Sequence, residues 1–200
     1  MKIKRFVGGT LESNGYILFQ KNGTKCYVID PGYEPKKFIQ YIKEQDLQLE
    51  GIILTHLHHD HTGAAQAVSD AFDCPIYMHE DDAFVYRGRV DKRLQDGDAF
   101  DLEGETLNIL HTPGHTRGSI CIYSETSKVC FTGDTIFDTD LGRTDLDGGS
   151  EADLCWTIRN VVDQWDNQIT IYPGHDGSCN MKFVRANNLE FTALRDGHER

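Results

Sequence analysis

The sequence predicts an α/β protein: a four-layer α/β/β/α sandwich, two β-sheets packed face to face with helices on both outer sides. Three observations carry that prediction. Short strand-like runs alternate with helical runs through the first half, residues 98–132 are rich in strand patterns, and a strand–loop–helix unit ending in a loop of metal-binding residue types recurs in both halves. No linker divides the 200 residues, so residues 1–200 are read as one domain.

The elements follow in order. Residues 2–7, 15–19 and 25–30 read as strands, the last running into the turn dipeptide Pro31-Gly32. Residues 35–45 carry Phe38, Ile39, Tyr41 and Ile42 at helical spacing, with Pro35 suited to a first turn. Residues 51–54 form a short continuous apolar strand of the kind covered on both faces. A histidine-rich loop follows, then a helix over 62–72, a strand over 75–78, a short helix over 80–86 and a charged connection over 87–96. Strands are predicted at 99–102, 106–111, 119–123 and 129–132, separated by Gly, Pro and Ser. Residues 135–150, rich in Gly and Asp, read as a long loop. A helix over 151–165, a strand over 169–172 and one closing helix from Asn180 complete the chain.

Composition narrows the classes. The chain is 38% hydrophobic and 26% charged, as globular proteins are, and its net charge of −12 disfavours phosphate backbones and anionic membranes. No nucleic-acid or membrane partner is therefore expected, and the partner is a small-molecule substrate; nothing in the sequence sets the oligomeric state. The N-terminus shows no apolar signal segment, and no apolar run approaches the roughly 20 residues of a membrane span. Cysteines at 26, 74, 121, 130, 155 and 179 form no C-x-x-C pair, and most lie within apolar runs. They read as reduced thiols, and the expected location is cytoplasmic.

The densest chemistry lies in Thr55-His56-Leu57-His58-His59-Asp60-His61. If this stretch is extended, alternate side chains share a side, so His56, His58 and Asp60 can converge, with His61 aimed at a neighbouring point. Three strand-end loops add His115 in Pro113-Gly114-His115-Thr116, Asp134 in Gly133-Asp134, and His175 in Pro173-Gly174-His175. Each of these three ligand candidates follows a glycine, which lets backbone approach closely. Together they make five imidazoles and two carboxylates. Seven donors exceed the three protein ligands of one catalytic zinc and suit two ions, with a carboxylate shared between them. Zinc is the first expectation for the two divalent ions, and iron and manganese also accept this donor set.

The H-x-H-x-D-H, PGHT, GD and PGH motifs, in this order, resemble the metallo-β-lactamase superfamily and, within it, the short, single-domain glyoxalase II-like hydrolases. The resemblance runs from about residue 1 to 190 and implies the metallo-β-lactamase fold. It implies that His56, His58 and His115 bind one ion, that Asp60, His61 and His175 bind the other, and that Asp134 bridges. Asp60 and His61 become the catalytic candidates, with Asp60 orienting a metal-activated hydroxide that attacks a thioester carbonyl. Arg143, in Gly142-Arg143-Thr144-Asp145, is the candidate for substrate contact or for ordering the Asp134 loop; a salt bridge with Asp145 or Asp147 is the structural alternative. Asp30 resembles a residue that supports the metal loop.

Departures matter as much. True metallo-β-lactamases carry Cys where this chain has Asp134, flavo-diiron proteins carry Glu at the position of His58, and nuclease branches carry an added nucleic-acid-binding part. The Gly-Arg-Thr-Asp stretch also occurs in persulfide dioxygenases, which bind one iron through two His and one Asp; that activity, or another hydrolysis such as that of lactones, is the alternative. Full-length glyoxalase II has a C-terminal helical domain that holds glutathione, and no such domain is expected from the 25 residues after His175. Ser178-Cys179-Asn180 stands where a Thr-Thr pair is usual, while Arg185 and Asn188 keep the usual spacing. Beyond the ligands, His59 is expected to face solvent, His111 to be structural, His79 and His198 to be surface or packing residues, and Tyr16 to lie in the core. Thr55 either bonds a ligand or caps local backbone.

Overall fold

A computed structural model describes residues 1–197, so His198 lies outside the described residues. The first sheet runs β1 (Lys2–Gly8), β2 (Ser13–Phe19), β3 (Lys25–Ile29), β4 (Gln48–Leu54), β5 (Ile76–His79), β6 (Lys92–Leu94) in that spatial order. Its β1–β2–β3 portion is antiparallel and its β3–β6 portion parallel. The second sheet contains β7 (Ala99–Leu102), β8 (Glu105–His111), β9 (Ile120–Ser124), β10 (Val129–Gly133), β11 (Thr170–Pro173) and β12 (Cys179–Asn180), in the spatial order β12-β11-β10-β9-β8-β7. Here β10 and β11 pair in parallel and the other neighbours antiparallel.

Strand alternation explains the four layers. In β2, Tyr16 and Leu18 face the other sheet while Ile17 and Phe19 face the helices; in β10, Phe131 faces inward and Cys130 outward. The inter-sheet core is Tyr16, Leu18, Ile29 and Ile53 against Leu107, Ile109, Ile120, Ile122 and Phe131. Outside the first sheet, α1 (Pro35–Glu44) and α3 (Ala65–Phe72) bury Phe38, Ile42 and Val68 on Ile52 and Leu54. Outside the second, α5 (Glu151–Asn160), α6 (Met181–Asn187) and α7 (Leu189–Arg195) bury Leu154, Ile158, Val184 and Phe191 on Cys121, Cys130 and Ile171. Each such Val, Leu, Ile or Phe side chain contributes roughly 1.5–3 kcal/mol when fully buried.

The differences from the sequence reading have physical causes. The helix expected over 62–72 is two helices, α2 (His59–Thr62) and α3. Ala64 N–H donates to the Pro31 carbonyl at 2.9 Å, while the Asp60 carbonyl it would meet in a continuous helix accepts from Ser13 Oγ at 2.7 Å. The charged connection hides β6, an edge strand whose Lys92 and Arg93 mask the pattern. The helix over 151–165 ends at Asn160 and gives way to a 3₁₀ turn, Val162–Gln164. The closing helix is split by Asn188, whose Oδ1 accepts from Phe191 N–H at 2.8 Å and starts α7. A short helix, α4 (Glu80–Val85), follows β5 as expected.

Candidate metal centre

The ends of β4, β8, β10 and β11 carry the four loops of candidate ligands to one edge of the sandwich. Two groups of candidate ligands form there, and Asp30 with His56 and His61 makes a third that overlaps both. Donor atoms of His56, His58 and His115 lie within 4.8 Å of one another, and so do those of Asp60, His61 and His175. Asp134 stands between them: Oδ2 is 3.5 Å from His115 Nε2 and 3.4 Å from His175 Nε2, and Oδ1 is 3.4 Å from His61 Nε2. His58 Nδ1 lies 2.9 Å from His115 Nε2, so His58 turns its Nδ1 inward where the other imidazoles turn Nε2. Asp60 does not converge with His56 and His58, as an extended stretch would allow. Helix α2 begins at His59 and rotates Asp60 onto the other group, where Oδ2 is 3.2 Å from both His61 Nε2 and His175 Nε2.

The outward-facing nitrogens of His56, His115 and His175 are held by the protein, which fixes ring orientation. His115 Nδ1–H donates to the Arg143 carbonyl at 2.7 Å and His175 Nδ1–H to the Leu11 carbonyl at 2.9 Å. His56 Nδ1 is 3.0 Å from Thr55 Oγ1, which donates to Asp30 Oδ2 at 2.6 Å; Thr55 N–H donates to Asp30 Oδ1 at 2.7 Å. Asp30 Oδ2 also lies 3.4 Å from His61 Nδ1. With both oxygens engaged by Thr55, buried Asp30 supports the centre from behind. Gly174 is required by the same packing, because a Cβ there would lie 2.1 Å from Asp134 Oδ1.

Among the described residues, the buried His56 Nε2 and Asp134 Oδ1 have no hydrogen-bond partner. Orphaned buried donors and acceptors are rare, and both atoms face the centre. Five imidazoles and two carboxylates are also the donors that divalent zinc, iron and manganese take, so residues and group fit.

Electrostatics divides the two groups. Burial, and then the neighbouring imidazoles, pull His56 well below the ordinary histidine range; burial and His115 lower His58 to about 4. On the other side burial again opposes the imidazolium. The Asp134 and Asp60 carboxylates outweigh it, raising His61 well above its ordinary value and His175 to about 10. Burial would raise Asp60 and Asp134, but contacts with His61 and His175 hold both below the usual carboxylate range.

The remaining candidates fall elsewhere. The Arg143 side chain points away from the centre into a bidentate pair with exposed Asp145, at 2.7 and 2.8 Å. Its main chain is what touches a ligand, through His115. His59 is exposed. Tyr16 is buried, its hydroxyl donating to the Pro173 carbonyl at 2.6 Å. His111 stacks on His79 with centroids 4.0 Å apart and rings 11° from parallel. Asp81 lies near both, yet parallel rings cannot aim their in-plane lone pairs at one ion, and His111 Nε2 already donates to the Arg117 carbonyl at 2.8 Å. Asn188 Nδ2 donates to the Asp140 carbonyl at 2.8 Å and so anchors the loop after Asp134. Sequence reading missed Asp82: it sits in an acidic run that reads as a solvated helix start, but it is fully buried.

Two sheets that gather such a donor set at their edge define a class of metal-binding α/β proteins. The chain belongs to the metallo-β-lactamase superfamily, whose family model matches residues 8–189. It is 36% identical to the hydroxyacylglutathione hydrolase GloC of Haemophilus influenzae over an alignment covering 74% of this chain and 78% of that protein. Among solved structures it is similar to BLEG-1, a B3 metallo-β-lactamase, with 27% identity and a TM-score of 0.87 over 96% of this chain and 100% of that one. It is also similar to TTHA1623 in a di-iron-bound form, with 27% identity and a TM-score of 0.81 over 93% and 98% of the two chains. No helix among the described residues is long and apolar enough to cross a membrane.

Proposed function

We propose that the protein is a dinuclear metal-dependent thioester hydrolase of the glyoxalase II-like type, acting on a small-molecule substrate. The observation that carries this reading is the pair of complete triads flanking Asp134, the two oxygens of which face different imidazoles. Similarity to a hydroxyacylglutathione hydrolase supports the thioester. His56, His58 and His115 would hold one ion and Asp60, His61 and His175 the other, with Asp134 between; zinc is the ion proposed. Bound there, divalent ions supply Lewis acidity and lower the pKa of a bound water.

The chain's own residues do the rest. Asp60 stays ionised and accepts hydrogen bonds, so it can orient a water whose proton must point away from the carbonyl. His61, fully buried between Asp30, Asp60 and Asp134, keeps that carboxylate in place. A cavity of about 320 Å³ lined by Leu57, Asp81, Asp82, Val85, Arg117, Asp147 and Gly148 offers space for a substrate at Leu57, the residue between His56 and His58. Six unpaired cysteines fit the reducing cytoplasm proposed as its location.

Metal analysis of the purified protein together with an S-lactoylglutathione hydrolysis assay tests the reading. About two zincs per chain with turnover is the expected result. About one iron per chain, oxygen uptake with glutathione persulfide and no hydrolysis would replace it with the dioxygenase reading.

A further inference from the structure

We infer that Asp82 is a positioning residue for the first metal triad alone, an inference that rests on the dinuclear reading above. Asp82 comes from the first turn of α4 and is fully buried. Its Oδ2 accepts from Leu57 N–H at 2.9 Å and Thr116 Oγ1 at 2.8 Å, and its Oδ1 accepts from Gly118 N–H at 2.7 Å. Leu57 is the residue between His56 and His58, and Thr116 directly follows His115. One carboxylate thus ties together the two loops that supply all three ligands of this triad.

The chemistry of the acceptor is specific. Three donors converge on Asp82, and a carboxylate is the side-chain group of this size that accepts on both oxygens; an amide would set its own N–H₂ against either Leu57 N–H or Gly118 N–H. The approach is also tight. A Cβ at Gly118 would lie 2.5 Å from Asp82 N, so glycine is needed for the loop to reach the carboxylate.

The second triad is held by a different scaffold at the start of β2. Ser13 Oγ donates to the Asp60 carbonyl at 2.7 Å, and Asn14 Nδ2 donates to the carbonyls of Pro173 at 2.8 Å and Asp176 at 3.1 Å, on either side of His175. None of these bonds involves Asp82. Asp30 is common to both triads, through Thr55 to His56 and directly beside His61, whereas the Asp82 contacts reach only the loops around His56, His58 and His115 and the Ser13 and Asn14 contacts only those around Asp60 and His175. A carboxylate that served stability alone would affect both positions, or neither.

The test is Co(II) titration of the metal-free wild type, Asp82→Asn, Asp82→Ala and Thr116→Val proteins, read by the d–d absorption of each step and by equilibrium dialysis. His58→Ala identifies which step belongs to the three-histidine position. Asp82→Asn is expected to weaken that step on the order of tenfold, the low end of the range for losing a ligand's own outer partner because Asp82 acts through the residues beside the ligands, and to leave the other within about twofold. Thr116→Val, which removes one donor at nearly constant volume, should move the same step in the same direction and covers the case in which the Asp82 variants do not fold. Equal weakening of both steps, or no change in either, overturns the inference while leaving two-ion binding intact. Fewer than two Co(II) per wild-type chain overturns the dinuclear reading and this inference with it.

Discussion

Loading the metal-free protein with Zn(II) at pH 7 should release protons in one binding step and not in the other. His56 and His58 lie below their ordinary range, the latter at about 4, so both are neutral and ready to donate lone pairs at pH 7. His175 lies at about 10 and His61 is raised well above its ordinary value, so protons occupy the second triad. A ligand must lose its proton to bind. Moving His175 from about 10 to pH 7 costs on the order of 4 kcal/mol at about 1.36 kcal/mol per unit, or roughly three powers of ten in apparent affinity. The Asp60/His61/His175 position should therefore bind Zn(II) about tenfold more tightly per pH unit for each proton displaced, between pH 7 and 9. Calorimetric titration in two buffers of different ionisation enthalpy counts the protons. One to two protons released in the weaker step and almost none in the tighter one is expected. Equal release in both steps, or none in either, would refute the electrostatic division of the centre.

The same protons set the stability of the metal-free chain. A histidine raised above its unfolded value stabilises fully below about pH 6.5 and loses that contribution as pH rises toward its folded value, here about 10 for His175. The chelated protein should lose about 3–5 °C of melting temperature per unit between pH 6.5 and 8.5, a slope that saturation with Zn(II) should flatten; a flat chelated profile would contradict it. His58→Ala should abolish hydrolysis and loading of the three-histidine position while circular dichroism stays native, because the residue sits at a loop end outside the core; full activity in this variant would sink the ligand assignment. Arg143→Ala should keep kcat, KM and melting temperature near the wild-type values, since only the carbonyl of Arg143 meets His115; a large rise in KM would instead give its side chain to the substrate.

The sequence determined the identities of the candidate donors and the kind of elements that carry them. Imidazoles and carboxylates crowded into residues 56–61, and glycines before His115, Asp134 and His175, are local signals that do not depend on the rest of the chain. Apolar periodicity likewise placed the two sheets and most helices, because a strand or helix must bury its apolar side whatever it packs against. Spacing along the chain did not divide those donors; the family resemblance implied the division, and the tertiary structure supplies the contacts behind it. Asp60 joins His61 because Ser13 and Pro31, distant in sequence, capture the backbone groups that end the extended stretch and break the helix after it. It also decided which polar side chains matter behind the ligands. Asp82 and Asp81 are indistinguishable in a run of acids, yet one is fully buried beneath two ligand loops and the other lies on the surface. A hydrogen bond between loops depends on where the fold puts its partners, and no spacing along the chain encodes that.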